Sequence, residues 1–170
     1  MTQYEQLEGN ALRAYESMVN KLRTKAMQGL KLNASEVVVR PIRPLDINAT
    51  VTDWYFANNV SSSAYATLTN IDGASIANSR FVGINGIFNQ TGASSIHAIR
   101  ITREGAVARE WTVDHIPALK NQCAFVDDPI TLDRNTTVTV AAWHGITSTL
   151  ANTFGFLGAV AEKRGLLVNP

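Results

Sequence analysis

The spacing of apolar residues changes once along the chain, and this change constrains the fold more than any other feature. In the first segment apolar residues recur three or four positions apart, which is the period of an amphipathic α-helix. From about residue 35 onward they alternate with polar residues, which is the period of a β-strand. We therefore predict a helical arm over residues 1–32 and a β-domain over residues 33–170.

The predicted helix covers residues 3 to about 29, a stretch without proline in which Gly29 is a suitable end. Acidic residues come early and basic residues late, an order that complements the helix dipole. The helix has one apolar stripe, which must be covered by its own β-domain, by a partner helix or by a membrane surface. We predict that this stripe is an assembly interface, and its residues are Leu12, Tyr15, Met18, Val19, Leu22 and Ala26.

The β-region contains about nine short runs of alternating residues at intervals near ten, separated by turn-forming residues. Regularly spaced short strands predict an antiparallel sandwich or barrel, because a parallel sheet needs helices between its strands. We expect a turn at residues 127–129 and a short helical connection within residues 114–122. Gly83 and Gly86 are interpreted as glycines within a strand and not as part of a ligand-binding glycine motif.

The chemistry of the chain points away from catalysis. No phosphate-binding loop, dinucleotide fingerprint or His-Glu-x-x-His pattern is present, so we predict no catalytic residues, no metal site and no cofactor. A β-barrel metal enzyme that joins His97 and His144 is an alternative. The single cysteine, Cys123, excludes an internal disulfide and is interpreted as a small buried apolar residue.

Charge and hydropathy limit the partners of the chain. Charged residues make up 17% of the sequence and the net charge is +1, so no overall field attracts nucleic acid. No secretory leader or membrane-spanning stretch is recognisable, and we expect a soluble protein made in the cytoplasm. Six basic residues are concentrated at the end of the predicted helix and in the segment after it: Lys21, Arg23, Lys25, Lys31, Arg40 and Arg43. They either form an inner face that contacts nucleic acid or an anionic membrane, or they are solvated residues that complement the helix dipole.

Two further sets of residues are candidates for sugar chemistry. Five sequons for N-glycosylation occur, at Asn33, Asn48, Asn59, Asn89 and Asn135. Four aromatic residues on predicted strands either pack in the core or form a platform for carbohydrate, and these are Trp54, Tyr55, Trp111 and Trp143.

Three stretches of the β-region resemble a known family. The runs FVGINGIF (residues 81–88), AIRITREGAVAREW (98–111) and FGFLGAVAE (154–162) are similar to the middle and closing strands of single jelly-roll capsid proteins. The family meant is that of tailless, membrane-containing icosahedral DNA viruses of thermophilic archaea and bacteria. The resemblance covers about residues 35–165 and implies eight main strands in two facing sheets.

These observations give an expected function. We expect a structural virion protein without enzymatic activity, a capsid subunit that self-assembles through its β-sandwich and its helix. Its expected partners are its own copies, other capsid proteins, and an internal membrane or packaged nucleic acid, with no small-molecule substrate. The expected location is the virion, after synthesis in the host cytoplasm. The alternative is a β-sandwich binding module, such as a tail, fibre or carbohydrate-binding protein.

Overall fold

Two five-stranded antiparallel sheets face each other, and one long helix covers the outside of the first sheet. The computed structural model describes residues 8–50, 55–59, 65–68, 71–89, 96–119, 122–144 and 149–166. Its helices are α1 (Gly9–Leu30) and α2 (Pro44–Ile47), and 3-10 turns lie at Ala34–Glu36 and Ile116–Ala118. Its strands are β1 (Val37–Pro41), β2 (Tyr55–Asn59), β3 (Tyr65–Thr67), β4 (Ala74–Ser75), β5 (Arg80–Asn89), β6 (Ile96–Arg103), β7 (Ala106–Thr112), β8 (Cys123–Leu132), β9 (Thr137–His144) and β10 (Thr149–Lys163).

The strand order is that of a jelly roll. The first sheet runs β1-β10-β5-β8, and β2 extends it by pairing with β10. The second sheet runs β3-β9-β6-β7, and the short β4 also pairs with β9. With the two short additions set aside, eight main strands are divided four and four between two antiparallel sheets, as in jelly rolls. The predicted fold class, an all-β antiparallel sandwich with an N-terminal helix, is confirmed.

The main core lies between the sheets and follows the alternation seen in the sequence. On β9, Val138, Val140 and Ala142 point inward and are fully buried. From β10, the rings of Phe154 and Phe156 meet edge to face with centroids 6.2 Å apart. One inner face per strand is therefore enough to fill the sandwich, and the residues between these positions are left to the outer faces.

A second apolar cluster holds α1 against the outer face of the first sheet. Met18 and Leu22 are buried there against Phe81 of β5 and alanines of β10. Gly83 makes room for this contact, because a Cβ atom at that position would lie 2.5 Å from the Met18 sulfur and 2.9 Å from Leu22 Cδ1. The helical arm is therefore packed on the domain that it precedes.

The helix ends one residue later than predicted, and Gly29 has a different role. The last helical residue is Leu30, and Lys31 adopts the left-handed conformation that terminates the helix (φ 55°). At Gly29 a Cβ atom would lie 2.6 Å from Cζ of Phe81. The glycine is thus needed for packing against β5, because any side chain would push the aromatic ring away.

The predicted turn at residues 127–129 is wrong, because β8 continues through it. The register opposite β5 shifts there: Ile130 pairs with Ile84, whereas Phe125 pairs with Gly86. The extra residues of β8 therefore form a bulge, which accommodates a proline without ending the strand. Among the described residues of the predicted connection at 114–122 there is one 3-10 turn. Thr50, predicted to begin a strand, lies in a turn, and the predicted strand residues 51–54, 63, 64 and 69 lie outside the described residues.

Candidate functional site

A network of buried charges closes one end of the sandwich. Arg40 of β1, Arg80 of β5 and Glu162 of β10 lie together there, and α2 adds Asp46. The carboxylate side chains of Asp46 and Glu162 are 0% and 1% exposed. Buried carboxylates are stable only when ionic and hydrogen-bonding partners surround them, and this end of the sandwich supplies both.

The geometry of the network is bidentate. Arg40 Nη1 and Nη2 donate to the two oxygens of Asp46 at 2.6 and 2.7 Å, while its Nε donates to Glu162 at 2.7 Å. Arg80 Nη1 donates to Asp46 at 2.7 Å. Burial opposes the charged form of Arg40, but the hydrogen bonds to Asp46 and Glu162 outweigh it and raise the pKa of the guanidinium. The guanidinium of Arg40 is therefore held in its charged form, and the network links three strands to α2.

The network was not foreseen from the sequence, and it corrects the predicted basic face. Arg40 is 16% exposed and is engaged by two carboxylates, so it offers no free positive charge. Arg43 is partly buried beside Asp46, 4.0 Å away. Lys25 pairs with Asp133 in the β8–β9 turn. Lys21, Arg23 and Lys31 are exposed on the helix and its end, so the six residues do not form one surface.

The residues of the predicted assembly stripe divide into two groups. Met18, Leu22 and Ala26 are buried against the first sheet of the same chain, which leaves them no surface for a neighbouring subunit. Tyr15 and Val19 are partly buried at the margin of the same cluster. Leu12 is 37% exposed. Of the three coverings considered for the stripe, the chain's own sandwich is the one observed, and a subunit contact stays a prediction for the exposed margin alone.

His97 and His144 lie at neighbouring positions of the paired strands β6 and β9, but their side chains have different environments. His97 is half exposed and lies 3.7 Å from Asp114, while His144 is 2% exposed on β9. Within the described ranges, no three His, Cys, Asp or Glu side chains are grouped closely enough to hold a metal ion. Cys123, predicted to be buried, is partly exposed at the start of β8.

His144 is expected to make the stability of the protein dependent on pH. Burial lowers its pKa, and its Nε2 atom has no hydrogen-bond partner among the described residues. The contribution of neutral, buried His144 to the free energy of unfolding is complete above the unfolded-state pKa of about 6.5. It is lost as the pH falls through the lower folded-state pKa, because the unfolded chain takes up the proton more readily than the folded chain.

Urea midpoints measured between about pH 5 and pH 8 check this prediction. His144→Gln should flatten the decline in stability on the acidic side, whereas His115→Gln, which changes an exposed histidine, should leave the decline intact. An unchanged decline in His144→Gln would show that another group is responsible.

An aromatic patch with charged neighbours lies on the outer face of the second sheet. Tyr65 of β3 is the cross-strand partner of Trp143 of β9, and their ring centroids are 5.9 Å apart. The guanidinium carbon of Arg100 lies 3.7 Å from the Tyr65 ring centroid, and Arg100 Nε donates to Glu110 at 2.9 Å. Trp143 is 42% exposed. We refer to Tyr65, Arg100, Glu110 and Trp143 as the aromatic patch.

Neighbouring groups shift the pKa values of two side chains in the aromatic patch, Tyr65 and Glu110. Burial, followed by the Glu110 carboxylate, raises the pKa of Tyr65. Tyr65 and then Arg100 lower the pKa of Glu110. An exposed indole beside held polar groups is the arrangement that stacks on a sugar ring or on a partner's side chain. Of the other candidate platform residues, Trp111 packs on Phe156 with centroids 6.5 Å apart, and the side chains of Trp54 and Tyr55 lie outside the described residues.

The sequons have different environments. Asn89 is 0% exposed, so its side chain is not accessible to a glycan in the folded chain. Asn33 begins the 3-10 turn, where its backbone N–H donates to Glu36, and the Asn48 side chain accepts the Thr50 N–H. Asn135 is exposed in the β8–β9 turn with a left-handed backbone, and the side chain of Asn59 lies outside the described residues.

Together the fold and these surfaces define a jelly-roll sandwich with a helix-covered sheet and an open sheet. No protein-family model matches the chain, and a search of the curated proteins finds no significant match. None of the helices in the described residues is both long enough and apolar enough to cross a membrane.

Proposed function

We propose that this protein is a structural virion protein, a capsid subunit that self-assembles through its β-sandwich. The observation that carries the proposal is the jelly-roll strand order, β1-β10-β5-β8 facing β3-β9-β6-β7. The stretches that resemble capsid proteins form β5, β6, β7 and β10, which belong to both sheets. Jelly rolls also occur in lectins and enzymes, so the surfaces of this chain must support the choice.

The open side of the second sheet supports assembly. Within the described strands, β7 is hydrogen-bonded on one side only, to β6. Val107 on this strand is 58% exposed. An edge strand with free backbone groups and an exposed apolar side chain is suited to contact another chain. We therefore place a contact between copies at the β7 edge.

The buried charges favour a structural role over catalysis. A catalytic carboxylate must reach its substrate, but Asp46 and Glu162 are enclosed and bound to arginines. The proposed partners are accordingly other copies of the chain and other capsid proteins. Contact with packaged nucleic acid or an internal membrane belongs to the same proposal, as does a location in the virion.

Light scattering coupled to size-exclusion chromatography, followed by electron microscopy, tests this proposal. The purified chain should form large assemblies whose amount rises with concentration. Val107→Asp should raise the concentration needed for assembly by about tenfold, since a charge replaces an apolar contact. Leu119→Asp is the matched control, because Leu119 is 41% exposed and follows the 3-10 turn Ile116–Ala118, outside β7. A chain that stays monomeric at every concentration would overturn the proposal.

The aromatic patch favours a second candidate, a carbohydrate-binding module. Trp143 is accessible for stacking, and Arg100 and Glu110 offer polar groups beside it. A monomer whose tryptophan fluorescence shifts on titration with glycans, and does so less in Trp143→Ala, would support this second function. Assembly without any glycan response would support the first.

A further inference from the structure

A cavity of about 190 Å³ opens where the two sheets end beside α1. β8 is the last strand of the first sheet and β7 the last of the second, and both line the cavity. An ion pair between Arg109 and Asp128, at 2.7 Å, joins these two strands. The cavity is thus built from four elements, α1, β6, β7 and β8, and none of its lining residues belongs to the buried charge network or to the aromatic patch.

Three cationic side chains line this cavity. Lys21 comes from α1, Arg103 from the end of β6 and Arg109 from β7. Only Arg109 forms an ion pair with another described residue, while Arg103 Nη1 donates to the backbone oxygen of Thr131 at 3.2 Å. Within the described part of the chain, the Nε atom of Arg109 is buried without an acceptor. The cavity therefore has more donors and more positive charge than its own acceptors use.

We propose that this cavity binds a phosphoryl group, either as a free phosphate or as part of a nucleic acid backbone. Two guanidinium groups and an ammonium group match the several oxygens and the negative charge of such a group. The wall supplied by Pro129, Ile130 and Leu132 limits water on one side, which strengthens each charged hydrogen bond. The proposal goes beyond the assembly function and does not depend on it.

The choice of a phosphoryl group follows from the size and composition of the cavity. An extended apolar ligand is unsuited to it, because three of its eight lining residues are cationic. A metal ion is unsuited for the same reason, since cations repel it. A lone carboxylate would leave donors on at least one of the three cations unused, whereas a phosphoryl group presents oxygens in several directions.

Titration calorimetry in low-salt buffer tests the proposal with two probes, inorganic phosphate and a ten-residue oligothymidylate. Lys21→Gln should weaken binding of the recognised probe by about tenfold, the effect of losing one charged hydrogen bond. Arg23→Gln is the matched control. It removes the same charge from an exposed position on the same helix, but Arg23 does not line the cavity.

The outcomes separate the two sources of the ligand. Binding of inorganic phosphate that Lys21→Gln weakens and Arg23→Gln leaves unchanged supports a site for free phosphate. The same pattern for the oligonucleotide, with phosphate as a weak competitor, supports a nucleic acid backbone. Equal losses in the two variants would indicate diffuse attraction and overturn the proposal, and so would the absence of saturable binding to either probe. Because Lys21 is exposed, its replacement should leave folding intact, which circular dichroism checks.

Discussion

Replacing Glu162 with glutamine is expected to lower the free energy of unfolding by about 3 kcal/mol. The side chain is 1% exposed, and its carboxylate lies within 4.0 Å of both Arg40 and Arg80. Without it, Asp46 alone must compensate two guanidinium groups in a site that water reaches poorly. Urea unfolding monitored by circular dichroism measures the change, provided that the slope of the transition stays constant.

Glu110→Gln is the matched control for this prediction. Glu110 also accepts a hydrogen bond from an arginine, Arg100, but its side chain is 46% exposed. Exposed ion pairs are screened by water and salt and contribute little to stability, so the loss in this control should be small. Similar losses in the two variants would contradict the view that burial makes the Glu162 network important.

Replacing Leu22 with aspartate is expected to destabilise the protein by at least about 3 kcal/mol, through loss of a buried side chain and introduction of a buried charge. Leu22 is fully buried between α1 and the first sheet. We expect the helix to detach and to expose the outer face of β5 and β10. Unfolding in urea and the binding of a hydrophobic dye measure the two effects.

Leu12→Asp tests the same helix at an exposed position. Leu12 is 37% exposed, and its replacement should change stability little. If this variant folds normally but assembles poorly, the exposed margin of the helix is a subunit contact. If Leu22→Asp is as stable as Leu12→Asp, the helix is not part of the folded domain.

The sequence predicted those features that follow from the alternation of apolar residues. Periodicity reports which side chains face a core, so the end of the helix and the strands β5, β6 and β7 were located to within one residue. The helix begins at Gly9 and not at residue 3, and β10 begins five residues before the predicted strand. Periodicity does not report what covers a stripe, because Met18 and Leu22 are equally suited to a sheet, a helix or a membrane. The decisive signal lies elsewhere, in Gly83 and Gly29, whose missing side chains make room for packing between α1 and β5.

The charge network could not be predicted from the sequence, for a different reason. Arg40 and Glu162 are 122 positions apart, and only the pairing of β1 with β10 brings them together. Read locally, Arg40 belongs to a basic segment, which is why it was assigned to a basic face. The cavity beside α1 was missed similarly, since Arg103 and Arg109 sit on a predicted hairpin far from Lys21 in sequence.

The docked helix gives the subunit two unlike sides. One sheet lies beneath a helix whose outer surface is polar, whereas the other sheet keeps its tryptophan and tyrosine at the surface. Copies arranged side by side in one orientation would form a layer with one polar face and one face that carries exposed aromatic side chains. Such a layer would have two chemically different surfaces as a direct result of the fold of each copy.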